Sequence, residues 1–174
     1  VWSNDGSGTF TVSPQSLGNA STNALALGDL NGDGDLDAFL ANSGGNTVWF
    51  NGGNGHFTDS AQLLGSADTV AVHLFDADGD GDLDAWATNG DGSTQTSAVW
   101  PNDGDGLFTD SGWALASMRA AKSAMGNLDG DLDLDVLVVS FFGDHQVWLN
   151  QYSGPIFVDG FDLGNMNAWS AVVP

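Results

Sequence analysis

Asp76-Ala77-Asp78-Gly79-Asp80-Gly81-Asp82-Leu83-Asp84 decides how the rest of this chain is read. Five carboxylates fall in nine residues, and unpaired they would repel one another strongly. A hard cation removes the conflict, because Ca²⁺ takes about 6–8 oxygen ligands and tolerates irregular geometry. In a D-x-D-x-D-G-x-x-D loop, side chains at positions 1, 3, 5 and 9 and the backbone carbonyl at position 7 can converge on one ion. Glycine at position 6 permits the sharp turn.

The same grammar occurs twice more. Asp29-Leu30-Asn31-Gly32-Asp33-Gly34-Asp35-Leu36-Asp37 is a second copy, and Asn127-Leu128-Asp129-Gly130-Asp131-Leu132-Asp133-Leu134-Asp135 is a third, imperfect one. In the third, Asn127 replaces the first carboxylate and Leu132 the turn glycine, so this loop is expected to hold its ion most weakly. The candidate ligands are Asp29, Asn31, Asp33, Asp35 and Asp37; Asp76, Asp78, Asp80, Asp82 and Asp84; and Asn127, Asp129, Asp131, Asp133 and Asp135. About three Ca²⁺ per chain are expected. An EF-hand is excluded: it needs Glu at position 12, where Leu40, Ala87 or Val138 stands, and the chain has no Glu. The bland alternative is a solvated acidic turn; three copies in register weigh against it, less for the third loop than for the first two.

Composition supports the reading. The formal charge is −21 with only Arg119 and Lys122 basic, and 13 of the 23 acidic residues, all Asp, lie in the three loops. A salt-adapted acidic surface would be expected to use Glu as well. Such a charge disfavours nucleic acid and anionic membrane as partners. No apolar run reaches transmembrane length, so no membrane insertion is expected. Without cysteine there is no disulfide framework and no thiol catalyst. Weak Ca²⁺ modules need roughly 10⁻⁴–10⁻³ M calcium, which points to a secreted, extracellular or cell-surface setting. The chain opens on Val1, with no signal peptide, and reads as a mature product or part of a longer parent.

A second landmark follows each loop. Val1-Trp2…Phe10, Val48-Trp49…Phe57, Val99-Trp100…Phe108 and Val147-Trp148…Phe157 recur about every 50 residues, a period that suggests propeller blades or another stacked array. Each unit reads as four short strands. The apolar run Ala24–Gly28 enters the loop, Ala38–Ala41 leaves it, the Trp strand follows, and an Asn/Gly turn leads to the Phe strand. No segment has a helical period.

These repeats resemble the FG-GAP/VCBS repeats, on the residues Gly28–Asp37 with Trp49…Asn54-Gly55-His56-Phe57 and their counterparts. The resemblance covers residues 1 to about 158. It implies an all-β fold of β-propeller blades, each of four antiparallel strands, with calcium in the loop between the first and second strands and an extracellular role. About three and a half repeats are expected: residues 1–18 a half blade, 19–65, 66–116 and 117–162 full repeats, and 163–174 a C-terminal tail. The Trp once per repeat reads as blade packing rather than a carbohydrate platform. His56, His73 and His145 have no ligand spacing.

No G-x-S-x-G elbow, H-E-x-x-H or P-loop is present, so the chain is expected not to be an enzyme. Two functions remain. One is a calcium-stabilised adhesion or recognition module for a glycan or protein. The other is a self-assembling structural subunit whose partners are copies of the same chain, joined by strand complementation at the half blade. Whether the ring closes in one chain, in two, or stays open is left undecided.

Overall fold

The computed structural model describes residues 1–113, 115, 117–131 and 133–151, and the backbone of Trp169–Val172. The described residues contain strands and turns and no helix, and every strand pairing is antiparallel. Fifteen strands are formed, β1 to β15 in chain order.

Three sheets carry the repeats. The first is β3 (Thr22–Gly28), β4 (Asp37–Asn42), β5 (Thr47–Asn51) and β6 (Phe57–Asp59), in that order. The second is β7 (Thr69–Phe75), β8 (Asp84–Asn89) and β10 (Ala98–Trp100); its fourth member shrinks to one bridge, Asn102 to Phe108. The third is β12 (Ala120–Gly126), β13 (Asp135–Ser140), β14 (Gln146–Asn150) and β15 (Trp169–Val172). The strand beside β14 is thus drawn from the stretch assigned above to a tail, with Asn150 opposite Trp169. Phe157, expected to fill that place, and Leu132 lie outside the described residues. Two short ribbons complete the list: β1 (Trp2–Asn4) with β2 (Phe10–Val12), and β9 (Gln95–Thr96) with β11 (Ser117–Met118). β9 lies at the end of residues 90–96, an insert that makes the second repeat longer than the others.

The three acidic loops occupy the same place in each sheet. They close the hairpin between first and second strands, where Gly28 faces Asp37, Phe75 faces Asp84 and Gly126 faces Asp135. At the far end of each hairpin the register slips once, at Thr22/Ala24, Thr69/Ala71 and Ala120/Lys122. A bulge increases local twist, and its recurrence gives the three sheets the same bend.

The sheets stack face to face. β3 and β4 pack against β7, and β7 and β8 against β12. Phe39, Val48, Val72, Trp100 and Phe108 fill the first junction, with the Phe39 and Phe108 rings edge to face at 5.5 Å. Trp86, Val99, Val136, Val138 and Trp148 fill the second. Trp49, Trp100 and Trp148 are all buried, which places the recurring Trp in packing as expected, whereas Trp2 on the free β1–β2 ribbon is 65% exposed. Among the described residues the stack is open: Leu25 and Leu27 on β3 are exposed, while Val72, at the place in β7 that Leu25 holds in β3, is buried against the first sheet.

The link between repeats is also repeated. After β2, Gln15 donates to the Phe57 carbonyl and accepts from the Phe57 N–H at 3.1 Å. After β6, Gln62 donates to the Gly106 carbonyl at 2.8 Å and accepts from the Phe108 N–H at 2.9 Å. Leu17 packs against the Trp49 cluster of the first sheet, while the Ser13 N–H donates to the Val1 carbonyl of the β1–β2 ribbon at 2.9 Å.

Candidate metal centre

Each loop folds as a ladder of side chains onto its own backbone. The position 3 group accepts from the position 5 N–H: Asn31 from Asp33, Asp78 from Asp80 and Asp129 from Asp131, at 3.0, 3.3 and 3.2 Å. The position 5 carboxylates of Asp33, Asp80 and Asp131 accept from the position 7 N–H at 2.9, 3.0 and 3.3 Å. Asp29 and Asp76 each accept from the glycine at position 6, and Asp76 and Asn127 from the glycine at position 4. Such Asx turns need left-handed backbone between them, which glycine supplies at little steric cost. Gly34 and Gly81 have φ of +89° and +97°, and Gly130 keeps +91° in the third loop.

This curl gathers the carboxylates. In the second loop, oxygens of Asp76, Asp78 and Asp84 lie within 4.8 Å of one another. Three acceptors that close, with no donor among them, suit an oxygen-seeking cation and little else. Their electrostatics agree. Burial, then the neighbouring Asp80 charge, pushes the Asp78 carboxyl up to about 6. Burial pushes Asp84 up to about 7 against two backbone N–H donors that lower it. In the third loop, burial and the adjoining Asp131 raise Asp133 to about 7. The carboxylates of Asp76, Asp78 and Asp84 therefore fit a hard cation such as Ca²⁺, and Asp80 stands outside that group of three.

Position 9 carries a second duty that spacing did not reveal. Asp37, Asp84 and Asp135 are fully buried. One oxygen of each accepts from the position 2 N–H, of Leu30, Ala77 and Leu128, at 3.0, 2.8 and 2.6 Å. The other accepts from the N–H of Asn51, Asn102 or Asn150 in the Val-Trp-x-Asn segment, at 2.7, 2.8 and 3.0 Å. This Asp latches the loop to the Val-Trp-x-Asn segment. The recurring Asn after each Trp was the available signal.

Position 7 points elsewhere. A Cβ on Gly53 or Gly104 would lie 2.5 Å from the Asp35 or Asp82 carboxylate, so these two side chains reach over the turn between third and fourth strands. Burial, then Asp80, Asp76, Asp103 and Asp105, raises Asp82. Its side chain faces that turn, which leaves position 7 to serve the loop through its carbonyl. The three histidines stay apart from the loops: His73 bonds Ser123 Oγ at 3.0 Å across the second junction, and His145 accepts from the Ser140 N–H.

The model of the FG-GAP-like repeat family matches residues 29–87, the span from the first acidic loop into β8. No curated protein matches the chain.

Proposed function

We propose that this chain, whose residues 29–87 match the FG-GAP-like repeat family, is a non-enzymatic, calcium-stabilised β-propeller module of a secreted or cell-surface protein, serving adhesion or recognition of a glycan or protein. The observation that carries the metal reading is the convergence of Asp76, Asp78 and Asp84 within 4.8 Å. An ion there would neutralise a cluster that otherwise opposes the hairpin turn, and so fix how β7 and β8 leave the loop. Ca²⁺ supplies charge and coordination; the chain supplies a curl already held by its backbone. Asp80→Ala should lower bound calcium by about one ion per chain in equilibrium dialysis with metal analysis. An unchanged count would remove the second loop from the metal sites. Recognition is tested by a glycan and surface-binding screen of the chain in millimolar calcium; no binding to any class would leave the scaffold without that role.

The second reading is a self-assembling subunit of an extracellular filament or matrix. Its support is the β1–β2 ribbon, which exposes Trp2, Phe10 and Val12 and, among the described residues, pairs with none of the three sheets. Deleting residues 1–12 spares Gln15 and Leu17. If strand donation joins copies, light scattering should show assemblies for the full chain and a single mass for the deletion. Equal masses would refute that route.

A further inference from the structure

Each junction in the stack joins the back of one sheet to the front of the next, the front being the side toward the preceding repeat. The same positions meet at both described junctions. Leu30 and Phe39, on the back of the first sheet, pack with Val72, Leu74 and Leu83 on the front of the second. Ala77 and Trp86 hold the places of Leu30 and Phe39 on the back of the second sheet, and they pack with Met125 on the front of the third. All four back residues are buried. We propose that the two unmatched halves of this joint, the front of the first sheet and the back of the third, meet between two copies of the chain, which stack head to tail as the repeats do. This rests on the self-assembly reading for its partner, a second copy, but uses a different surface from the β1–β2 ribbon.

The exposed residues are the ones the internal joints cover. On the front of the first sheet Leu25, Leu27 and Leu36 are 59%, 53% and 56% exposed. Their counterparts 47 residues on are Val72, which is buried, and Leu74 and Leu83, which pack half-buried on the first sheet. On the back of the third sheet Leu128 and Leu137 are 53% and 37% exposed. They hold the places at which Leu30 and Phe39, or Ala77 and Trp86, are buried by the next sheet. Apolar side chains gathered on a sheet face in this way mark a surface that takes a partner.

The two halves also match in detail. A Cβ on Gly28 would lie 2.7 Å from Leu83 Cδ1 and 3.1 Å from Leu74 Cδ1, so this glycine is the floor on which the two leucines of the next sheet sit. At the second junction Phe75 takes the place of that glycine and Met125 the place of Leu74. On the back of the third sheet the glycine returns as Gly126, and nothing lies within 4 Å of a Cβ there. On the front of the first sheet the leucine pair returns as Leu27 and Leu36. The two free halves therefore carry the residues of the first junction, a bare glycine on one and two leucines on the other. Continuity with that junction identifies the occupant of each face as the opposite face of another copy. Such a contact is heterologous: every assembly keeps one free front and one free back until a ring closes.

Light scattering on the full chain in millimolar calcium tests the joint. Leu27→Asp spoils the front half, and Gly126→Val fills the floor of the back half. Gly126 is outside the left-handed region and has open space beside it, so valine should leave the chain folded. Circular dichroism checks both variants, and Leu25→Ser or Leu137→Ser replaces one that does not fold. The unaltered chain is expected to form species of two or more copies, and each variant alone to stay at 17.9 kDa. An equal mixture of the two keeps one intact front and one intact back, and is expected to give twice that mass and nothing larger. An unaltered chain at 17.9 kDa would overturn the proposal, whether its faces are bare or belong against more of a longer parent. Assembly by either variant alone would overturn it too; if that assembly vanishes on deleting residues 1–12, strand donation stands instead. A mixture in which no complex forms would likewise overturn it.

Discussion

Asp84 and Asp80 sit four residues apart in one acidic run, yet they answer to different physics. Asp80 is exposed, and in the proposed calcium site its worth would lie in the charge it brings to the ion. Asp84 is fully enclosed and accepts from Ala77 and Asn102. Its loss strands two buried N–H groups, each costing about 1–3 kcal/mol. In chelator, Asp84→Ala should therefore lower unfolding free energy by about 2–5 kcal/mol, and Asp80→Ala by less than about 1 kcal/mol. Urea denaturation monitored by Trp fluorescence measures both. Equal effects would mean that the latch contributes nothing without metal. The spacing of carboxylates made both residues legible as ligands. It could not separate them, because the separation depends on which strand end lies above each oxygen.

At the scale of elements, the junctions rest on short polar clamps as well as on packing. Gln62 ties the end of one repeat to the Phe108 strand position of the next through two backbone bonds. Gln62→Ala should cost about 1–3 kcal/mol. Amide exchange should quicken around residues 102–108 while β7 and β8 stay protected. Uniform quickening across the second sheet would show instead that the clamp supports the whole unit. In the third repeat Trp113 stands at the sequence position that Gln15 and Gln62 hold in the others. The four-strand units were legible because Trp, turn glycine and Phe recur at fixed offsets. The shrinking of the fourth strand of the second sheet to the Asn102–Phe108 bridge was not, nor was the supply of β15 from the final residues. Both depend on pairings distant in sequence.

For the whole molecule the acidic clusters set a pH dependence whose sign depends on metal. Asp78 and Asp84 titrate near about 6 and about 7 when folded, against an ordinary 3.8. A raised carboxyl pKa means the folded chain holds protons that the unfolded chain releases. Metal-free stability is therefore fullest near the unfolded value and falls as pH rises through the folded one. The net charge of −21 adds to the same trend. Calorimetry in chelator should show Tm falling by about 5–10 °C between about pH 4.5 and about pH 7.5. With calcium the slope should flatten or reverse, because the ion binds the deprotonated ligands. A flat metal-free profile would mean that the carboxylates do not crowd one another in solution.

The sequence alone determined the all-β repeat, its period, the three acidic loops and their place between first and second strands. Those features are local: glycine and Asx chemistry curl nine residues, and short apolar runs bounded by turn residues make strands. Tertiary structure decided the rest. It assigned the position 9 Asp to a buried latch, turned position 7 toward the next turn, and enclosed Asn102 between two loops 47 residues apart. Such roles follow from desolvation and from which backbone groups are left without water, and these are fixed only when one sheet is laid against the next.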